Sequence, residues 1–125
     1  MKISFIKQIV LVIFISLMLT GCSERNLSDK LIDSGKNAIE SMEYDKALDL
    51  FIKAKEEKAK QNQKVNEEIN ILIEIISDYK EAIRSYNAKN YDRAKEIINN
   101  INENYVNYKI KDDIDYLKNL INKNR

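Results

Sequence analysis

The stretch Gly35 to Ala54, GKNAIESMEYDKALDLFIKA, decides how this chain folds. In it Gly35, Ala38, Tyr44, Ala47, Phe51 and Ala54 fall at offsets 0, 3, 9, 12, 16 and 19. Steps of three and four are helical spacing, and the longer step across Ser41-Met42-Glu43 marks a break between two helices. Gly35 and Ala47 are small enough to let those helices approach closely. A second stretch repeats the pattern 47 residues on. Ala82, Ser85, Tyr91, Ala94, Ile98 and Ile101 stand at the same offsets, and Glu43–Ala47 (EYDKA) aligns with Asn90–Ala94 (NYDRA).

Helical periodicity extends outward from these hairpins. A first helix is expected from Ser28 as N-cap, with Asp29 in its first turn and Leu31, Ile32, Ala38, Ile39 and Met42 as its apolar stripe. The second runs from about Asp45 with Ala47, Leu48, Phe51, Ile52 and Ala54 on one face, and the charge run Lys53–Lys60 reads as a solvated face. A third spans Val65 to Ala88. Its apolar positions Val65, Ile69, Leu72, Ile76, Tyr79, Ile83 and Tyr86 step 4, 3, 4, 3, 4, 3, which is heptad spacing. Asn90 caps a fourth, and a fifth from about Lys109 carries Ile110, Ile114, Leu117 and Ile121. Proline is absent and Gly35 is the only glycine past residue 21, so the turn residues of a β-rich fold are missing. The expected fold is all-α: about five antiparallel helices in one domain over residues 28–125.

The first 21 residues have a different character. Lys2 and Lys7 precede the apolar run Ile9–Leu19, and Leu19-Thr20-Gly21-Cys22 follows. Eleven helical residues span roughly 16 Å, about half a hydrocarbon core, so the segment reads as a signal peptide rather than a stable anchor. The alternative is an uncleaved anchor with an incidental cysteine. The small-small-Cys ending resembles the lipobox of bacterial lipoproteins. That resemblance implies removal of residues 1–21 and a diacylglycerol thioether on Cys22, with residues 22–27 as a short tether. It also implies an exported protein lipid-anchored to the bacterial cell membrane, and Ser23 would favour the outer membrane if the organism has one. Two or three acyl chains, at about 0.8 kcal/mol per buried methylene, hold far more firmly than one myristoyl chain.

The offsets quoted above resemble those of the tetratricopeptide repeat, over roughly residues 28–61 and 75–108. The units here are 47 residues apart where that family uses 34, so about 13 residues centred on Gln63 to Ile73 are extra. The resemblance implies a fifth helix acting as a solubilising cap. It also implies a concave groove for a protein or peptide segment, lined by Ile32, Lys36 and Ile39 of the first unit and Ile76, Tyr79, Ile83 and Tyr86 of the second. Lys36, Lys80 and Glu40 would set register. The other readings of the Ile76–Tyr86 stripe are packing in the core, against the fifth helix or an inserted turn, and a homodimer seam.

Composition excludes several classes of function. Charges sum to 21 minus 20 for the whole chain and 19 minus 20 without Lys2 and Lys7, so no bulk basic charge invites nucleic acid. With no histidine and one cysteine, histidine-dependent nucleophiles and His/Cys zinc sites are excluded. Glu67, Glu68, Glu74, Asp78 and Glu81 share a helix but alternate with its apolar face and read as solvated. Neither a calcium loop nor a glycine-rich phosphate loop is present. The expectation is a non-catalytic interaction adaptor of the cell envelope with no cofactor and no metal. The alternative is a homo-oligomeric envelope lipoprotein associating through residues 65–86.

Overall fold

The computed structural model describes residues 27–124, and the chain there is all-helical. Five α-helices follow one another: α1 (Leu27–Glu40), α2 (Tyr44–Lys60), α3 (Glu67–Asn87), α4 (Tyr91–Asn99) and α5 (Ile110–Lys123). A 3-10 turn, Glu103–Asn107, joins α4 to α5. α1 packs along α2 and α3 along α4, each pair joined by three residues, and α3 is packed against α2 as well.

The two hairpins share more than sequence spacing. Gly35, Ala38, Ala47, Phe51 and Ala54 are buried, with Tyr44 half-buried; Ala82, Ser85, Ala94, Ile98 and Ile101 are buried, with Tyr91 half-buried. The turns repeat too. Met42 (φ 59°) and Lys89 (φ 63°) are both left-handed. The amide of Glu43 donates to the Ala38 carbonyl at 2.8 Å, and that of Asn90 to the Ser85 carbonyl at 2.9 Å. These six-to-one bonds, with the shorter ones from Met42 to Ile39 and from Lys89 to Tyr86, are Schellman caps, here built without glycine. α2 ends the same way on Asn62 (φ 55°), with Gln63 donating to the Lys58 carbonyl at 2.8 Å.

Helix starts are chemically marked. Asn66 caps α3 by accepting from the Ile69 amide, Glu67 and Glu68 lie in its first turn, and Asn90 caps α4 by accepting from the Arg93 amide. Three expected boundaries move. Ser28 is not outside α1 but buried within its first turn; α2 opens at Tyr44 rather than Asp45; and Val65 precedes its helix, because Asn66 takes the cap position. Of the extra residues, 61–66 form the connection and those from Glu67 onward lengthen α3.

The core is continuous through both hairpins and α5. Phe51, Ile39, Ile69, Leu72, Ile75, Ile76, Ile98, Ile110 and Ile114 are its largest fully buried side chains. Polar ties close the edges: Glu68 of α3 takes Lys36 of α1 at 3.3 Å and the Tyr108 hydroxyl at 3.1 Å. Among the described residues no helix is long and apolar enough to cross a membrane.

Candidate functional site

The turn Ser41–Glu43 places Tyr44 at the first position of α2, where it meets two other helices. Its ring stands edge-on to Tyr79 of α3, centroids 5.5 Å apart at 84°, and its hydroxyl donates to Asp113 of α5. Burial and the Asp113 carboxylate push the Tyr44 phenol far above its ordinary range, and burial followed by Asp113 raises that of Tyr79. Both therefore stay neutral at physiological pH; neither supplies a tyrosinate nucleophile.

Beside this pair lies an open cleft of about 310 Å³ lined by Met42, Tyr44, Asp45, Tyr79, Lys80 and Ile83. Asp45 and Lys80 form an ion pair that joins α2 to α3. Met42 stands 55 % exposed, held out by the left-handed turn. The cleft thus has apolar and aromatic walls and one mutually satisfied ion pair. It can seat an apolar side chain.

The expected groove is divided by the structure. Ile39 and Ile76 are sealed in the core and offer no surface to a partner, a correction that follows from the convergence of α1 and α3 on the apolar centre. Ile32 is half-buried against that core, and Lys36 is engaged by Glu68. Tyr79, Ile83 and Tyr86 are half-buried and packed on the core. α5 runs beside them: Asp113 holds Tyr44 next to Tyr79, and the Asn124 side-chain amide donates to the Tyr86 hydroxyl at 3.0 Å. Tyr86 also leans on Tyr91, centroids 5.4 Å apart. The last helix and the residue after it thus touch the surroundings of the stripe at Tyr44 and Tyr86, and of the stripe only Tyr79 and Ile83 reach the cleft. Met42, Tyr44 and Asp45 were not foreseen as lining it. The signal was the repeated turn, since Met42 and Lys89 occupy equivalent places.

The heptad positions Val65, Ile69, Leu72 and Ile76 are likewise buried within the fold, so they form no seam on the surface of α3. Among the α3 carboxylates, Glu68 and Glu81 are paired with Lys36 and Arg84. Asp78 is only partly solvated. Burial first, and Glu74 second, raise its pKa. It borders a smaller cleft of about 230 Å³ with Arg93, Glu96, Ile97 and Asn100, where Arg93 and Glu96 bind each other at 3.2 Å. Among the described residues no group of three or more His, Cys, Asp or Glu could hold a metal ion. Cys22 and the segment 1–21 lie outside the described residues. No protein-family model, curated protein or solved structure matches the chain.

Proposed function

We propose that this chain is a membrane-anchored bacterial lipoprotein, fixed by lipidated Cys22, whose tetratricopeptide-like domain docks a protein or peptide segment without catalysis. The observation that carries the reading is the cleft between the first hairpin and α3, where exposed Met42 stands beside Tyr79 and Ile83. Tyrosine and methionine are enriched where proteins meet, because each offers a large apolar surface that adapts to a partner. The repeated hairpin supports it further, since stacked helical hairpins are rigid presenters of such surfaces.

Two measurements test it. Photo-crosslinking in native membranes with the probe at Ile83 is expected to capture one heterologous partner, and Met42→Asp to abolish capture with helicity intact. Crosslinks confined to the chain itself would end the adaptor reading. Cys22→Ser is expected to move the protein from the membrane to the soluble fraction; retention in the membrane would end the lipoprotein reading.

A further inference from the structure

We propose that Met42 is a reversible oxidation site, and that its sulfoxide closes the cleft to apolar segments; the second half rests on the docking function proposed above. Met42 is the only methionine after residue 18, and beyond Cys22 the chain has no cysteine, histidine or tryptophan. Apart from the tyrosines it is the one oxidisable side chain in residues 27–124, and it is 55 % exposed on the wall of a cleft. An oxidant that reaches this domain finds one thioether, placed where polarity decides what can bind.

The chemistry is a two-electron transfer. The Met42 sulfur attacks one oxygen of a hydroperoxide, the O–O bond breaks, the sulfur gains that oxygen, and the other oxygen leaves as water or alcohol. A thiol-dependent sulfoxide reductase reverses it, with two thiols becoming a disulfide and the oxygen departing as water. The product is a polar acceptor in place of an adaptable apolar group. Few donors in the lining can satisfy it: the one proton of the Tyr44 hydroxyl is already given to Asp113, and only the Lys80 ammonium, held by Asp45, keeps N–H groups to spare. A docked apolar segment would strip that acceptor of water and offer it no donor of its own, which disfavours the complex.

The test uses the full chain in native membranes. Hydrogen peroxide is expected to add a single oxygen to the peptide bearing Met42, at a rate within a few-fold of N-acetylmethionine, as read by mass spectrometry. Crosslinking from Ile83 is expected to drop at least fivefold in parallel, to return after sulfoxide reductase with dithiothreitol, and to resist peroxide in Met42→Leu. Oxidation more than tenfold slower than N-acetylmethionine would overturn the site. Full oxidation with unchanged crosslinking would overturn the gating. Absence of any heterologous crosslink before peroxide would instead remove the docking function, and the gating with it, while mass spectrometry still judged the site.

Discussion

Gly35 shows how tightly a single residue is fixed by its partner across the hairpin. A Cβ there would stand 2.6 Å from Cε1 of Phe51 and 2.9 Å from Cδ1 and Cζ, and the Phe51 ring is fully buried. Alanine gains about 1 kcal/mol in helix propensity over glycine, but overpacking a closed site costs about 1–3 kcal/mol. Contact this short with an immobile ring makes the second effect larger, so Gly35→Ala is expected to lower stability in urea denaturation. The equivalent pair in the second hairpin is Ala82 and Ile98, a larger residue facing a smaller one. Adding Phe51→Ile to Gly35→Ala should therefore recover part of the loss, with a favourable coupling of about 0.5–3 kcal/mol; strictly additive energies would refute the pairing. Lys89 makes the opposite case. It is exposed and left-handed (φ 63°), a conformation costing a side-chain-bearing residue roughly 1–2 kcal/mol. Part of that is offset by the freer unfolded chain of a glycine. Lys89→Gly is expected to stabilise by about 1 kcal/mol, raising Tm by about 4–8 °C. A Tm that stays level or falls would mean that the turn is unstrained.

At the scale of elements, periodicity made the helices legible and long-range packing hid their surroundings. Ile110, Ile114, Leu117 and Ile121 at i, i+4, i+7 and i+11 announce α5, and Asn90 before an acidic first turn announces α4; both stand as read. Asn66-Glu67-Glu68 carries the same kind of signal for α3, one residue past Val65, where the heptad spacing alone starts the helix. The 3-10 turn at Glu103–Asn107 has no apolar period to reveal it. The cleft was half legible. Tyr79 and Ile83 stood out by spacing, but Met42 and Tyr44 join them only through tertiary contact, and the Tyr44–Asp113 bond closes 69 residues of chain. Asp78 tests the α3–α4 packing in the same way. Its raised pKa means that the folded protein takes up its proton at higher pH than the unfolded chain does. Stability from that proton is full below the ordinary aspartate value of 3.8 and is lost as pH rises through the folded pKa. Asp78→Asn is therefore expected to raise Tm at neutral pH, with the advantage shrinking as pH falls into the carboxylate range. A gain that persists unchanged in acid would mean that charge burial is not its cause.

For the whole molecule, the question is what α5 does to a stack that would otherwise end on an open face. α5 turns Ile110, Ile114, Leu117 and Ile121 into the core, so it closes the apolar centre that the two hairpins share. The heptad positions from Val65 to Ile76 are consumed in the same core. Sedimentation of the domain from Leu27 is accordingly expected to give a monomer at all concentrations, and a concentration-dependent dimer would revive association through α3. The outer face is not bare, since Tyr116 stands 64 % exposed, but it is a single ring among charged neighbours. Removing the helix should be decisive. Ile110, Ile114, Leu117 and Ile121 are all buried, and at about 1.5–3 kcal/mol for each large aliphatic side chain they contribute on the order of 6–12 kcal/mol. A domain of this size has only about 5–15 kcal/mol of net stability. A chain ending at Lys109 also loses the Asp113 acceptor of Tyr44 and the Asn124 donor to Tyr86, and lays open the core that Ile110, Ile114, Leu117 and Ile121 close. It is expected to keep part of its far-ultraviolet helicity, lose its cooperative thermal transition and bind a dye specific for exposed apolar surface. A sharp transition near the parent Tm would show instead that the two hairpins are self-sufficient and that α5 is a removable cover over their shared core.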